Sequence, residues 1–299
     1  MKRRDFIKNS SLVAFSVSAF GFTKWNGKIF VGDTPTTTDI LGPFYRPGAP
    51  TRSNIIPTGS KGIPLNLHGI IFKEDGKTPL KDAIVEIWQC DENEHYDNTS
   101  DDFLFRGAVK TEKNGRYEFK TIVPVPYKAN PDNENSWRPA HIHMRVSSSS
   151  QQDLITQLYL KGDQYIDKDR SSSSPQAINR ILSLTKNSAN ENVLVFDIVM
   201  SKEFLLDEAV YRKITGLYQM EKNIVEFVKN DDLLFMKYNG QLTASLKYIG
   251  NNTFEGGIGF PIVSFELLSG GGVKATITQR TGTQSGEKFL ALRDFIWVA

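Results

Sequence analysis

Hydrophobic and polar residues alternate along several short segments in the first two thirds of the chain, with the period of a β-strand. Turn-forming residues separate these segments, among them Glu74-Asp75-Gly76 and Asn114-Gly115. The segments predicted to be strands are 65–72, 83–88, 116–119, 141–146, 154–160 and 193–200. Several short strands joined by turns are typical of a β-sandwich, which we assign to residues 38–203.

The last third of the chain shows the same alternation and predicts a meander of strands. Asn239-Gly240 joins two alternating segments, which is a hairpin signature. The strands predicted here are 233–238, 241–249, 260–268, 273–279 and 289–292. Short helices are predicted at 175–184, with Ser174 as the N-cap, and at 207–215. The predicted fold class is therefore all-β: a β-sandwich followed by a small antiparallel β accessory domain over 207–299.

The first residues have the composition of an export signal. Arg3-Arg4 precede a modestly apolar run over residues 10–22, which is too short to span a bilayer, since that takes about 20 residues. The pattern resembles a twin-arginine signal, and an ordinary secretory signal is the alternative. We therefore predict a signal peptide over 1–22 and a linker over 23–37. The expected location is periplasmic or secreted from a bacterium, with no stable membrane span after processing.

Composition and net charge say little about the fold, but they restrict the kinds of partner that the protein can bind. The 299 residues are 39% hydrophobic and 23% charged, which suffices for a sizeable core. The formal net charge of +2 argues against a nucleic-acid partner, which would require a clustered basic excess. Cys90 is the one cysteine, which excludes an intramolecular disulfide, and it is expected to be a small buried hydrophobic residue. The sequence is compatible with an oligomer.

Two of the four histidines lie two positions apart on one predicted strand. His141 and His143 point to the same face as Arg145, because side chains alternate along a strand. The opposite face is apolar and is expected to meet the core; its residues are Ala140, Ile142, Met144 and Val146. The histidine face is therefore expected to line a cleft or to meet solvent. Two imidazoles in this arrangement favour a metal site over a structural role, and a zinc hydrolase is one reading of it.

At this point the chain resembles a known family, the intradiol ring-cleavage dioxygenases, over roughly residues 38–200. The motifs that carry the resemblance are, in chain order, Leu41-Gly42-Pro43-Phe44-Tyr45, Ala83-Ile84-Val85-Glu86-Ile87-Trp88-Gln89, Pro124-Val125-Pro126-Tyr127, Arg138-Pro139-Ala140-His141-Ile142-His143 and Thr156-Gln157-Leu158-Tyr159. One histidine pair by itself is a weak signal, whereas all of these motifs in this order are a specific one.

The resemblance implies a non-haem Fe(III) site. The implied metal ligands are Tyr96, Tyr127, His141 and His143. Tyr127 would also act as a general base, Arg138 would stabilise negative charge on the substrate ring, and Gln157 would help to position the substrate. A surface ion pair is the alternative role for Arg138. The implied reaction uses O2 to cleave a catechol-type aromatic diol between its two hydroxyl-bearing carbons, giving a muconate-type diacid.

The loop that carries the first tyrosine departs from the family pattern. Glu94 stands where the family usually has glycine, and His95 adds a competing donor beside Tyr96. The loop is also rich in Asp and Glu. These departures bear on the choice of substrate more than on metal binding. The alternative function is a non-catalytic β-sandwich module that binds aromatics or glycans. For the domain over 207–299 an accessory or interaction module is expected, and a structural cap over the mouth of the active site is the alternative.

Overall fold

The computed structural model describes residues 16–18, 21–25, 30–202, 206–231, 233–281 and 284–293. Side chains are described from residue 35 onwards, except for residues 280–287 and the gaps between these ranges. The predicted twin-arginine segment at Arg3-Arg4 lies outside the described residues, so the signal peptide stays a prediction. Within the described ranges, no helix is both long and apolar enough to cross a membrane.

The described chain is mainly β-structure, which confirms the all-β prediction. Three strands come first, in a sheet of their own: β1 (Ser16–Ser18), β2 (Gly21–Trp25) and β3 (Phe30–Thr34). The strands of the sandwich are β4 (Pro64–Phe72), β5 (Ile84–Trp88), β6 (Arg106–Lys110), β7 (Arg116–Ile122), β8 (Tyr127–Lys128), β9 (Trp137–Arg138), β10 (His141–Ser148), β11 (Gln151–Leu160), β12 (Ile181–Leu182), β13 (Thr185–Lys186), β14 (Asn192–Val195) and β15 (Ile198–Val199). A short helix, α1 (Glu208–Ile214), leads into the last group of strands. These are β16 (Gly216–Met220), β17 (Asn223–Asn230), β18 (Leu233–Tyr238), β19 (Gln241–Gly250), β20 (Thr253–Gly256), β21 (Ile262–Leu267), β22 (Val273–Thr281) and β23 (Gln284–Arg293).

Two sheets form the sandwich. One has the strand order β12-β11-β10-β5-β6, and the other has the order β13-β14-β4-β15 with β7 also paired to β4. Alternate residues of each strand fill the space between the sheets, because side chains of a strand point alternately to its two faces. Buried side chains of this core include Leu67, Val85, Phe119, Ile142 and Met144.

The last eight strands close into an antiparallel barrel, in which β16 meets β23 through the pairing of Gln219 with Leu292. Large apolar side chains fill its interior, among them Tyr218, Phe227 and Phe254. The predicted helix at 207–215 is present as α1, and the Asp207 carboxylate caps it by accepting from the Ala209 amide at 2.8 Å.

Two predicted elements differ from the observed ones. The helix predicted at 175–184 is a 3-10 helix at Pro175–Arg180, capped by Ser174, and the residues after it form β12. The strand predicted at 193–200 is divided into β14 and β15, which both pair in parallel with β4. In both cases pairing with a neighbouring strand overrides the local pattern, which carries no information about that neighbour.

A segment that we call the arm, residues 36–45, crosses the sandwich beside the barrel. Its backbone is tied to β11, since the Asp39 amide donates to the Ile155 carbonyl at 2.9 Å and the Thr156 hydroxyl donates to the Thr37 carbonyl at 3.0 Å. The arm, the sandwich and the barrel share one buried apolar cluster, made of Leu41, Tyr45, Trp88, Ile155, Leu233 and Phe235. The arm is therefore packed between the two larger units.

Gly69 on β4 generates a test of the sandwich core. A Cβ at this position would lie 1.9 Å from the Phe196 carbonyl oxygen, so Gly69→Ala must push β4 away from the segment between β14 and β15. We expect the free energy of unfolding to fall by about 1–3 kcal/mol, the usual cost of overpacking. Gly270→Ala is the control, since nothing lies within 4 Å of its Cβ. That change should alter stability by no more than about 0.5 kcal/mol in denaturant titrations. Equal effects of the two substitutions would contradict the observed packing.

Candidate metal centre

The two histidines lie on β10, in the middle of its sheet. His143 pairs with Trp88 on β5 and with Gln157 on β11, while His141 pairs with Tyr159. Directly paired residues share a face of the sheet, so these side chains gather on the side away from the core. Of the two environments predicted for this face, a cleft or solvent, the structure excludes solvent, since His141 and His143 are 1% and 0% exposed. The arm covers the face and turns it into an enclosed site.

Gly42 is where the arm comes closest to the histidines. Its backbone has a φ of +75°, in the region that favours glycine, and a Cβ would lie 2.9 Å from His143 Cε1. Any other residue at this position would strain the backbone, and its Cβ would clash with the His143 imidazole. Phe44, two positions further along, stacks on Tyr96 with a ring-centroid distance of 4.4 Å.

Both predicted tyrosines come to the same place as the histidines. The ring centroids of Tyr96 and Tyr127 are 5.2 Å apart. Tyr96 lies 6.1 Å from His143, and Tyr127 lies 5.5 Å from His141. The two histidine rings are 4.7 Å apart. Thus four side chains from three separate segments of the chain form one contiguous cluster.

Hydrogen bonding fixes the protonation of His141. Its Nδ1 lies 2.6 Å from the Pro139 carbonyl oxygen, which can only accept, so Nδ1 carries the proton and Nε2 presents a lone pair. Burial, together with the positive charge of the nearby Arg138 guanidinium, lowers the pKa of His141 to about 3. Burial also lowers the pKa of His143 well below its usual value. Both imidazoles are therefore neutral, as metal ligands must be.

Two buried polar atoms of the cluster lack protein partners among the described residues. The Tyr96 hydroxyl and His143 Nδ1 are buried without a hydrogen bond to any residue in the described ranges. Such atoms are uncommon in folded proteins and each calls for an explanation. His141 Nε2 and His143 Nε2 are 3.1 Å apart. That separation suits two nitrogens on one metal ion, since bonds of about 2.1 Å at right angles put them about 3 Å apart.

The donor set decides what kind of metal fits. Among the described residues, no group of three or more His, Cys, Asp or Glu side chains could hold a metal ion. A metal here would therefore need the phenol oxygens of Tyr96 and Tyr127 beside the two imidazoles. Burial raises the pKa of both phenols, so they lose their protons only if a strong positive charge compensates. The residues present fit a highly charged metal ion.

Arg138 lies beside the cluster, opposite Tyr127 in the β8–β9 ribbon. Its Nη1 is 3.5 Å from His141 Nε2. Its Nε donates to Asp169 Oδ1 at 2.9 Å, and both side chains of this ion pair are only 9% exposed. The alternative of a surface ion pair is therefore wrong, because the pair is buried.

Gln157 and Tyr159 hold the other side of the guanidinium. Arg138 Nη2 donates to Gln157 Oε1 at 3.1 Å, and the Tyr159 hydroxyl oxygen lies 3.0 Å from the same oxygen. Gln157 Nε2 donates to the Ile40 carbonyl of the arm at 2.6 Å. Both ends of this amide are thus bound by the protein.

Sequence reasoning missed three residues behind Arg138. Asp169 pairs with it directly, and the buried pair of Asp39 and Arg180 lies behind Tyr159, which donates to Asp39 Oδ2 at 2.8 Å. Asp169 lies in a Ser-rich loop with no distinguishing pattern, and Asp39 and Arg180 are 141 positions apart. The signal that could have identified Asp39 is a longer motif, extending back from Leu41-Gly42-Pro43 to include it.

The structure accounts for two unusual residues, Glu94 and His95, in the loop before Tyr96. Glu94 adopts a φ of +71°, the conformation that favours the glycine usual in the family at this position. The His95 side chain is 81% exposed and lies 3.9 Å from Asp91, so it does not compete with the four clustered side chains. Cys90 is buried as predicted, and burial raises its pKa to about 12.

Residues 40–202 match the profile of the dioxygenase family. The chain belongs to the intradiol ring-cleavage dioxygenase family. It is 35% identical over 158 residues to chlorocatechol 1,2-dioxygenase of Rhodococcus opacus, a match that covers 46% of this chain and 61% of that protein. It is 39% identical over 155 residues to catechol 1,2-dioxygenase 1 of Acinetobacter lwoffii, covering 45% of this chain and 49% of that one.

A solved structure of 3-chlorocatechol 1,2-dioxygenase from Rhodococcus opacus 1CP is also similar. Its TM-score is 0.50 at 28% identity, over 56% of this chain and 72% of that one. The chain thus spans about half to somewhat under two thirds of the length of the curated relatives described above. The family match ends at residue 202, so it leaves out the barrel.

The Arg138–Asp169 pair generates a stability test. Asp169→Ala would leave the guanidinium buried without its counter-charge, which typically costs about 3–5 kcal/mol in the free energy of unfolding. Glu134→Ala is the matched control, because it removes an ion pair with Lys128 in which the Glu134 side chain is 81% exposed. We expect a loss of no more than about 1 kcal/mol there. Denaturant unfolding monitored by fluorescence measures both, and a small loss for Asp169→Ala would contradict a buried charge pair.

Proposed function

We propose that this protein is an Fe(III)-dependent intradiol dioxygenase that uses O2 to cleave a catechol-type aromatic diol to a muconate-type diacid. The observation that carries this proposal is the convergence of two neutral imidazoles and two buried phenols at one enclosed place. The family membership and the names of the relatives, which are catechol and chlorocatechol 1,2-dioxygenases, support it.

We propose Tyr96, Tyr127, His141 and His143 as the ligands of the ion. Ferric iron suits this set, because a trivalent ion compensates two phenolates that burial would otherwise keep protonated. When bound, the ion would activate a chelated aromatic diol toward O2. The protein supplies the rest: a closed site beneath the arm that excludes bulk water, and lone pairs held in place before the substrate arrives.

Tyr127 is proposed to be both ligand and base. A free phenol has a pKa of about 10, so the phenolate oxygen of Tyr127 would be basic enough to take up a proton near neutral pH. Tyr127 Oη would therefore accept the proton of a substrate hydroxyl. The adjacent Arg138 favours the charged phenolate before that transfer, because its positive charge opposes the effect of burial on the pKa of Tyr127.

Arg138 is proposed to be catalytic through its charge. Asp169, Gln157 and Tyr159 hold its guanidinium in one orientation, so it can stabilise negative charge on the substrate ring without reorganising. Since both polar ends of Gln157 are bound by the protein, we propose that Gln157 acts mainly by orienting Arg138. Substrate positioning through Gln157 would then be indirect.

The separate parts of the chain are proposed to have different roles. We propose that residues 38–203 form the catalytic domain and that residues 207–299 form an accessory domain. We also propose that residues 1–22 direct export and that the mature protein works in the periplasm or outside the cell, with a small aromatic diol and O2 as its substrates. The twin-arginine route is proposed because it carries folded proteins, which allows a metal to be loaded before export.

Iron binding can be tested by colour and metal analysis. Phenolate-to-iron charge transfer should give the purified protein a reddish visible band that shifts when catechol is added. His143→Ala should lose bound iron and the band, because it removes one of four ligands and the residual site is incomplete. His95→Ala, which removes the exposed imidazole of the tyrosine loop, should keep both. A colourless protein that takes up no Fe(III) would instead favour an aromatic- or glycan-binding module.

The role of Tyr127 can be separated from simple iron binding. Tyr127→Phe should retain part of the iron but slow catechol binding by about 100-fold or more, within the usual contribution of general-base catalysis. Stopped-flow absorbance of the catechol-induced band shift measures this rate. Tyr165→Phe, in a half-buried tyrosine stacked on Trp137, is the control and should bind catechol at the normal rate. Unchanged binding kinetics in Tyr127→Phe would refute the role as a base.

A further inference from the structure

A series of aromatic contacts runs from the barrel to the metal site. Phe235 on β18 meets Tyr45 of the arm edge to face, with centroids 5.9 Å apart. Tyr45 packs on Trp88 at 5.0 Å, and Trp88 stacks on the His143 imidazole at 4.9 Å with an interplanar angle of 6°. All four side chains are at most 7% exposed. The barrel is thus in contact with a proposed metal ligand through two intervening rings.

A second, ionic contact joins the same elements. Arg145 lies two positions after His143, on the same face of β10. Its guanidinium donates to Asp153 at 2.6 Å, to the Tyr45 hydroxyl at 3.0 Å and to Asp231 of the barrel at 2.7 Å. Because the Asp231 side chain is 69% exposed, its pairing alone would contribute little to stability. Its effect would be to fix where the turn before β18 sits relative to β10.

The barrel also confines the arm from the side. A Cβ on Gly257 would lie 2.0 Å from the Asp39 carbonyl oxygen, so the barrel backbone is in close contact with the arm just before Gly42. Leu233, 2% exposed, joins Leu41 and Tyr45 in the shared cluster. The arm therefore cannot move away from the histidines without disturbing the contact with the barrel.

The plane of the His143 ring has few other restraints. Its Nδ1 has no hydrogen-bond partner among the described residues, unlike Nδ1 of His141, which is held by Pro139. Metal-bound histidines are usually oriented by a hydrogen bond at the nitrogen that does not bind the metal. For His143 that restraint is replaced by stacking on Trp88, and Trp88 is itself held by Tyr45 and Phe235.

We propose, on the basis of the metal site inferred above, that Phe235 and Asp231 of the barrel are positioning residues for the His143 imidazole. The barrel is then a part of the metal site and not a separate appended module. This assigns it a function that the family match, which ends at residue 202, leaves open. Loosening the contact between β18 and the arm should free the His143 ring and weaken its hold on the metal, with the sandwich still folded.

The first test measures how fast the full-length protein loses Fe(III) to an excess of a chelator such as EDTA. Phe235→Leu keeps most of the apolar volume but removes the ring edge that meets Tyr45. We expect it to lose iron about tenfold faster, the low end of the effects seen for residues that orient metal ligands. Phe227→Leu is the matched control, because Phe227 is a buried ring of the neighbouring strand that faces the barrel interior. It should stay within about twofold of the unmodified protein, since sites without shared partners act independently.

The second test does not depend on iron. The chain has four histidines, so the ring ¹⁵N signals of the iron-free full-length protein can be assigned, with His143→Gln identifying His143. Phe235→Leu and Asp231→Asn should each shift the His143 signals and leave those of the exposed His95 unchanged. Asp231→Asn changes a largely exposed side chain, so it tests the proposal even if Phe235→Leu folds poorly.

The outcomes are distinguishable. Unmodified protein that binds no Fe(III) would refute the proposed function, and the ring signals of His143 would still decide whether the barrel positions it. Equal acceleration of iron loss by Phe235→Leu and Phe227→Leu would mean that the barrel acts only through general stability, which overturns the positioning role. Unchanged His143 signals in both Phe235→Leu and Asp231→Asn would overturn it as well.

Discussion

The contact between the arm and β10 is the constraint on which the rest of the site depends. Without the arm, the histidine face of β10 would be the polar outer face of a sandwich sheet. With Leu41, Gly42 and Tyr45 packed over it, His141 and His143 are buried and neutral, with lone pairs available. A buried polar atom without a partner is unfavourable, and a bound cation would give the Tyr96 oxygen the partner that it lacks. The closure that creates the site therefore also creates the requirement for a ligand in it.

Three arginines near the site form buried ion pairs. Arg138 faces Asp169, Arg180 faces Asp39, and Arg145 faces Asp153. Each guanidinium is thereby fixed, since its planar set of donors meets several acceptors at once. Only Arg138 is directed toward the proposed ligands, where an oriented positive charge is useful for chemistry. The other two pairs hold the arm and the barrel, which are the elements that close the site.

The barrel supports the arm that closes the site. A covering segment of ten residues cannot by itself bury enough apolar surface to stay in place against the entropy of the free chain. Here the arm is packed on two sides, by β11 of the sandwich and by β18 of the barrel, and one buried cluster includes side chains of all three. In this chain the barrel is the second support of the arm.

The sequence alone determined the all-β class, because strand periodicity is local. Its ordered motifs, through their resemblance to the family, named six candidate site residues. The sequence also determined that His141 and His143 share a face, which follows from the alternation of side chains along a strand.

The sequence could not indicate that this face is closed, that Arg138 is paired with Asp169, or that Phe235 lies two rings away from His143. Those facts depend on contacts between residues far apart in the chain, such as Tyr45 with Arg145 and Arg145 with Asp231. The 3-10 helix at Pro175–Arg180 was decided in the same way, since the strand pairing of Ile181 and Leu182 ended it early. Local pattern specifies which way a side chain points along its own strand, and only the packing of separate segments decides what it meets there.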